Sequence, residues 1–245
     1  MDTEGIRQVA ERVKGSTSLV VLTGAGISQE SGVPTFRGAD GLWRNFRAED
    51  LATVEAFEKD PVLVWQWYDW RRSLMTPLKP NAAHYALADL EKRTEDFTLV
   101  TQNVDGLHKA AGSEHPIEMH GTLWGVRCTK CHTSLENREV PIDIPPKCEA
   151  CGGLLRPAVV WFGEALDQEI LYEIYRCLER AQVMLVVGTS GAVQPAAFFG
   201  LVAKRAGAFV AEVNRSKTPQ SAFFDVSLQG KSGELLPQLV DHMSK

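Results

Sequence analysis

Four cysteines, Cys128, Cys131, Cys148 and Cys151, are spaced as C-x-x-C, sixteen intervening residues, C-x-x-C. Each C-x-x-C turn can aim two sulfurs at one point, and two such turns close a tetrahedron around Zn²⁺. Two redox pairs or two disulfides would use the same residues, but redox C-x-x-C motifs usually occur singly, and the paired spacing favours a zinc ribbon. Four thiolates leave no position for a water, so such a metal is structural. Any chemistry must lie elsewhere in the chain.

The 245 residues are 44% hydrophobic and 23% charged, which suits a globular protein with a sizeable core. The formal net charge is −5 without a long basic run, which disfavours a dedicated nucleic-acid binder or a zinc-ribbon nucleic-acid adaptor. Apolar stretches such as Val183 to Val187 are far too short to span a bilayer. The first residues, with Asp2, Glu4 and Glu11, have neither a signal-peptide core nor transit-peptide character. Zinc-bound thiolates also need reducing conditions. A cytoplasmic monomer with no membrane and no nucleic-acid partner is expected. Cys177 falls in a helical pattern and reads as a small buried residue.

Strands and helices alternate along the chain. Ser18 to Thr23 is a continuous apolar run ending in glycine, as expected of a strand buried on both faces of a parallel sheet. Phe97 to Thr101, Gln182 to Val187 and Ala208 to Val213 read the same way. Helical patterns cover Asn81 to Arg93, Gln168 to Ala181, Gln194 to Ala206 and Ser232 to Met243. This rhythm predicts a doubly wound α/β sheet. Two segments break it: the Pro- and Cys-rich stretch from about Gly125 to Leu155, and the aromatic, helical stretch from Val33 to Pro80.

The first strand runs into Gly24-Ala25-Gly26-Ile27-Ser28, a turn through which backbone N–H groups can approach a pyrophosphate. Gln29 stands where G-x-G-x-x-G has its third glycine, and a tight turn without a ligand fits the same residues. Further polar groups follow later strands: Gln102-Asn103-Val104-Asp105, Gly188-Thr189-Ser190 and Asn214. Each alone could be a cap, but ligands of open α/β sheets bind beyond the carboxyl ends of the strands, and the common placement favours one cleft. His120 stands just before the cysteine segment, near a domain junction where clefts form.

Together these residues resemble the sirtuins, NAD-dependent protein-lysine deacylases. The resemblance rests on TGAGIS (Thr23 to Ser28), SGVPTFRG (Ser31 to Gly38), GLW (Gly41 to Trp43), TQNVDGLH (Thr101 to His108), His120-Gly121, the C-x-x-C pairs, VVWFGE (Val159 to Glu164), GTS (Gly188 to Ser190) and Asn214, in the family's order over nearly the whole chain. It implies a Rossmann-like doubly wound large domain (1–32, 81–124 and 156–245). A smaller domain is expected to combine a helical module (33–80) with a zinc-binding module (125–155).

The resemblance implies NAD consumed as co-substrate, one structural Zn²⁺ on the four cysteines, and acyl-lysine protein substrates bound as an extended peptide strand. His120 would act as general base on a ribose hydroxyl, with Asn103 and Asp105 ordering the nicotinamide pocket. NAD contacts are expected at Gly24, Ala25, Gly26, Ser28, Thr35, Trp43, Val104 and Thr189, at Phe36 and Arg37 of a covering loop, and at Gln102 on the ribose. Gly188, Ser190, Asn214 and Ser232 match the adenosine side. Many relatives have a small apolar residue at the position of Ser232, and a backbone contact would tolerate serine. Val160, Trp161, Phe162, Gly163 and Glu164 match the strip that pairs with the substrate backbone.

Tyr68 and Arg71 stand at i and i+3 of a helical segment, hence on one face. A phenol and a guanidinium together suit a carboxylate, although an aromatic core stripe with a solvated arginine has the same spacing. Their position matches the subclass that removes succinyl, malonyl and glutaryl groups, and Ala48 and Ala52 match the small residues that widen its acyl pocket. A general deacetylase, a mono-ADP-ribosyltransferase and a non-catalytic binding module are the alternatives. Retention of Asn103, Asp105 and His120 disfavours the last.

Overall fold

The structure is a computed structural model that describes residues 3–34 and 46–243. Thr35, Phe36, Arg37 and Trp43 lie outside the described residues. In chain order the first elements are α1 (Thr3–Lys14), β1 (Ser18–Thr23), α2 (Ala25–Ser28), α3 (Ala48–Leu51), α4 (Val54–Lys59), α5 (Pro61–Met75) and α6 (Ala82–Arg93). There follow β2 (Asp96–Thr101), α7 (Leu107–Ala110), β3 (Ile117–Glu118), β4 (Gly121–Cys128), β5 (Ser134–Glu136) and β6 (Leu155–Val159). The chain continues through α8 (Gln168–Arg180), β7 (Val183–Val187), α9 (Phe199–Arg205), β8 (Phe209–Asn214), β9 (Val226–Gln229) and α10 (Ser232–Met243).

Among the described residues one sheet has six strands, ordered β3-β2-β1-β7-β8-β9, and every pairing in it is parallel. Successive side chains of β1 point to opposite faces: Leu19 and Val21 join the cluster under α1, α6 and α10, while Val20 and Leu22 join the one under α8 and α9. Both faces are therefore covered, which is why these strands are continuous apolar runs. Strand order reverses between β1 and β7, so a crevice opens there at the carboxyl ends. The two segments that break the rhythm share a separate core with Trp65, Trp67, Tyr68, Leu123, Val126 and Trp161. No helix among the described residues is long and apolar enough to cross a membrane.

α5 begins at Pro61, with the Asp60 carboxylate accepting from Leu63 N at 2.9 Å. It is pinned to the cysteine module by its own side chains. Trp65 Nε1 donates to Leu155 O at 2.8 Å, and Asp69 Oδ1 accepts from Ile142 N at 2.9 Å. Arg72 is wholly buried and donates to Leu123 O at 2.8 Å and to Asn137 Oδ1 at 2.6 Å. Burial lowers its pKa to about 10 against the pull of Asp69 and Glu139.

The helix expected over Gln194 to Ala206 is a 3₁₀ turn, Ala196–Phe198, followed by α9. Pro195 has no N–H to give to a preceding helical turn, and it stands at the N-cap of the 3₁₀ turn. The antiparallel sheet of the cysteine module, ordered β5-β4-β6, runs from Gly121 to Val159 and so extends past both ends of the Pro- and Cys-rich stretch. Cys177 is buried on α8, as expected.

Candidate active site and metal centre

The polar segments that follow β1, β2, β7 and β8 meet in one cleft of about 930 Å³. It runs from Ala48, Ala52, Tyr68 and Arg71 at one end to Asn214 and Ser232 at the other. Gly24, Ala25, Gly26, Gln102, Asn103, Val104, His120, Gly188, Thr189 and Ser190 lie along it, and Val160 to Glu164 form one wall.

The glycines of the β1 turn serve a close crossing. Gly26 N donates to Gly188 O at 2.7 Å, and a Cβ on Gly26 would stand 2.6 Å from that oxygen. Gly188 has φ +61°, and its own Cβ would meet Ile27 N at 2.5 Å. Two strand ends thus touch backbone to backbone, and the open face of the turn is left to the cleft.

Asn103 Nδ2 donates to Gly24 O and Ser28 Oγ, both at 3.1 Å. Asp105 accepts from Ser28 Oγ at 2.8 Å and from Leu107 N at 2.9 Å. Burial pushes the Asp105 carboxyl up, opposed by those hydrogen bonds and by Arg71. Ser28 is fully buried and does not line the cleft; it stands behind the wall and ties Asn103 to Asp105. Behind it lie His84 and His108, with ring centres 4.9 Å apart. His108 Nε2 meets Thr23 Oγ1 at 2.9 Å. Burial holds the two imidazoles neutral, lowering His84 to about 4 and His108 to about 3.

His120 is half-buried, with Nδ1 3.0 Å from Gln102 O. A carbonyl only accepts, so Nδ1 carries the proton and Nε2 keeps its lone pair. Burial lowers the pKa of the ring more than the Gln102 contact raises it. The His120 carbonyl accepts from Val160 N at 2.9 Å, fixing the ring's backbone to the strip. Phe162 N donates to Ala52 O at 2.9 Å and Trp161 N to Glu164 Oε2 at 2.8 Å. Glu164 also takes a bidentate pair from Arg156, at 2.6 and 2.7 Å. Burial pushes that carboxyl up, but its bonds from Arg156 and Trp161 outweigh this and hold it below its ordinary value. The Glu164 side chain is thus committed to shaping the strip.

At the other end of the cleft, Tyr68 Oη accepts from Trp161 Nε1 at 2.9 Å. The Arg71 guanidinium stacks over Trp67, 4.8 Å from the ring centre, and over Tyr68, 5.4 Å away. Burial lowers the pKa of Arg71, with Tyr68 and Asp105 opposing, and raises that of Tyr68. On the far side Asn214 Nδ2 donates to Thr189 O at 2.7 Å, and Gln102 Nε2 to Thr189 Oγ1 at 3.2 Å. Ser232 lines the cleft at the head of α10, where Gly233 N donates to Glu30 at 3.0 Å.

The four cysteine sulfurs lie within 4.8 Å of one another, with Cys128–Cys151 at 3.5 Å and Cys131–Cys148 at 3.7 Å. A tetrahedron with Zn–S of about 2.3 Å has edges of about 3.8 Å, so the cluster matches a zinc site. Lys130 N and Cys131 N donate to Cys128 Sγ at 3.3 and 3.4 Å. A Cβ on Gly153 would lie 3.1 Å from the same sulfur.

Sequence reasoning missed several cleft residues, among them Trp67, Val193 and the run Arg215 to Pro219. That run follows Asn214 directly, and the rule that ligands lie past strand ends would have included it. The buried histidine pair left no sequence signal, because its members come from α6 and α7.

An open parallel sheet, a cleft at its reversal point and a metal-stapled lobe alongside define a Rossmann-like nucleotide-binding enzyme with a thiolate zinc site. Comparison with known proteins makes the class specific. The model of the Sir2 family matches residues 24–195. The NAD-dependent protein deacylase of Aquifex aeolicus (strain VF5) is 51% identical over 227 residues, covering 92% of this chain and 95% of that one. A crystal structure of a Sir2 homolog–NAD complex superposes with a TM-score of 0.92 at 49% identity, covering 97% of this chain and 93% of the other. A Sir2 protein bound to a myristoylated histone peptide matches with a TM-score of 0.78 at 34% identity, over 98% of this chain and 97% of the other. The chain belongs to the Sir2 family. It is an NAD-dependent protein deacylase with the Sir2 fold, with NAD as co-substrate and a four-cysteine site suited to structural zinc.

Proposed function

We propose that this sirtuin removes acidic acyl groups (succinyl, malonyl or glutaryl) from lysine side chains, with His120 as the base. The observation that carries the acyl reading is Arg71 itself. It is a guanidinium only 8% exposed, at the end of the cleft beside Ala48 and Ala52. A buried cation favours an anion, and Arg can grip a carboxylate bidentately. Tyr68 and Asp105 already attract Arg71 within the protein, and an acyl carboxylate at this end of the cleft would join them. The Tyr68 oxygen accepts from Trp161 and still has its own O–H to donate to an acyl carboxylate.

On this reading the peptide lies extended against Val160 to Glu164. The amides of Val160, Trp161, Phe162 and Glu164 are already used inside the protein, so pairing falls to Gly163 N and the strip's carbonyls. The adenosine half of NAD lies toward Gly188, Ser190, Asn214 and Ser232, and the nicotinamide half toward Asn103 and Asp105. Bound NAD supplies a ribose carbon from which nicotinamide leaves as the acyl oxygen attacks. His120 Nε2, neutral at pH 7, takes the proton of a ribose hydroxyl as that oxygen adds to the captured acyl carbon. The lysine nitrogen then leaves the acyl carbon as the free amine and one water adds in its place, so acyl-lysine, NAD and water give free lysine, nicotinamide and O-acyl-ADP-ribose. Phe36 and Arg37 are proposed to cover the cofactor, with Thr35 and Trp43 beside them.

The domain division belongs to the same proposal: 33–80 and 125–155 form the two modules of a smaller domain. The separate apolar core around Trp65 and Trp161 supports it, with the second module's sheet reaching out to Gly121 and Val159.

The test is NAD-dependent turnover of one peptide carrying acetyl, succinyl, malonyl, glutaryl or myristoyl lysine. The proposal expects the acidic forms to have the highest kcat/KM. Acetyl or myristoyl ahead of all three would make the chain a general deacylase. ADP-ribose appearing on the protein, detected by mass, would make it a transferase.

A further inference from the structure

Glu212 is an acidic residue within β8, a strand paired on both sides, and is only 1% exposed. Its carboxylate is met by three hydroxyls. Thr218 Oγ1 donates to Oε1 at 2.6 Å, Ser227 Oγ donates to Oε2 at 2.9 Å, and Ser221 Oγ also donates to Oε2. Ser227 is the register partner of Glu212 on β9. Thr218 and Ser221 arrive from the loop after β8, which folds back on itself, with Thr218 N donating to Ser221 Oγ at 2.7 Å.

That loop is also a wall of the cleft, through Arg215 to Pro219. Gln220 Nε2 donates to Gly191 O at 2.9 Å, and Asn214 Nδ2 ties back to Thr189 O. The segments past β7 and β8 are therefore joined into one piece. A carboxylate accepts but cannot donate, and burying it without donors is costly. Ser227 is supplied by β9, but Thr218 and Ser221 reach the carboxylate only with the loop folded back over β8, so Glu212 favours that shape of the wall.

We infer that Glu212 is a positioning residue for NAD capture: its clamp of three hydroxyls holds the Arg215 to Pro219 wall in the form that receives the adenosine half. The inference rests on the proposal that the adenosine half lies against Asn214. It does not depend on the acyl preference. Glu212 touches no reacting atom, so its contribution belongs to NAD affinity and not to the chemical step.

The experiment compares wild type, Glu212→Gln, the double variant Ser221→Ala with Ser227→Ala, and Asn214→Ala. Neither Ser221 nor Ser227 lines the cleft; Ser221 also accepts from Thr218 N, so Ser227→Ala, which removes a donor to Glu212 alone, is measured beside the pair and should shift KM for NAD in the same direction. KM for NAD and kcat are measured at saturating acyl peptide, ADP-ribose affinity by calorimetry, and nicotinamide by product inhibition. The clamp variants should raise KM for NAD and Kd for ADP-ribose about tenfold, the scale of one charge-assisted hydrogen bond. The value of kcat and the nicotinamide inhibition constant should stay within about twofold of wild type. Ser227→Thr, which keeps the hydroxyl, should behave as wild type. If Glu212→Gln does not fold, the serine pair carries the test. A serine pair that leaves KM for NAD within about twofold of wild type overturns the inference, as does one that lowers kcat as much as it raises KM. If Asn214→Ala leaves ADP-ribose affinity intact, the placement of adenosine falls and this inference with it. If Asn214→Ala weakens ADP-ribose but the clamp variants do not, only the role of Glu212 is wrong.

Discussion

Arg71→Met separates reading of the acyl group from support of the fold. Methionine keeps a flexible apolar stem between the rings of Trp67 and Tyr68 but carries no charge. The two ring contacts, at 4.8 and 5.4 Å, are lost whichever acyl group is bound, and together contribute on the order of 1–3 kcal/mol to stability. That loss appears in thermal unfolding and is common to all substrates. The contact to an acyl carboxylate is different, because it exists only with an acidic substrate. A hydrogen bond to a charged group contributes about 1.5–3 kcal/mol, so desuccinylation should lose roughly 10- to 150-fold in kcat/KM. Deacetylation should stay near wild type or rise, since an acetyl group has no carboxylate whose contact with Arg71 could be lost. Matched acetyl and succinyl peptides at saturating NAD, with products resolved by chromatography and mass, measure both numbers. Equal loss with both peptides would refute the reasoning: Arg71 would then be acting through Asp105, its charge partner, or through the fold.

Four further outcomes are expected. His120→Asn should lose about 10²- to 10⁴-fold in turnover while keeping its melting temperature, because the base is removed and the amide can still donate to Gln102 O. With the pKa of His120 lowered by burial, kcat/KM should stay level below pH 6.5 and fall only as the pH approaches the lowered value, as a pH profile would reveal. Metal analysis should find one Zn²⁺ per chain, and Cys128→Ser or a strong chelator should lower the melting temperature and loosen α5, which Arg72 ties to the cysteine module. His84 and His108 are neutral in the fold with pKa values of about 4 and about 3, against about 6.5 when unfolded. Their contribution is present above pH 6.5 and is lost as the pH falls through that window, on the order of 2–4 kcal/mol each. His108→Gln should flatten the pH dependence of denaturant unfolding, and an unchanged slope would count against the burial argument.

The sequence was most legible where one physical constraint governs a run of residues. Ser18 to Thr23 could be read as a buried parallel strand because both of its faces are covered, and the observed β1 has those bounds. Ser232 to Met243 was legible as a helix for the same kind of reason, its apolar positions falling on one face. β9, Val226–Gln229, passed unnoticed because it is short and lies at the sheet edge, with only Val226 and Leu228 buried. The GAG turn reads as an approach to phosphate, but the strictest demand on Gly26 is contact with Gly188, 162 positions away in the chain; no local pattern encodes such a contact.

Chain order alone determined the alternating fold, the metal cluster and the strand ends that face the cleft, since each depends on local spacing or on burial along a run. Which groups confront one another was decided only by packing. Ser28 lies behind the wall holding Asn103 and Asp105, and Arg156 claims the carboxylate of Glu164. Two histidines are sealed against each other between α6 and α7, and three hydroxyls close on Glu212. In each case a polar group has been removed from water and must find its partner within hydrogen-bond reach. That requirement is three-dimensional, and the partners come from elements that only the folded sheet and its second lobe bring together.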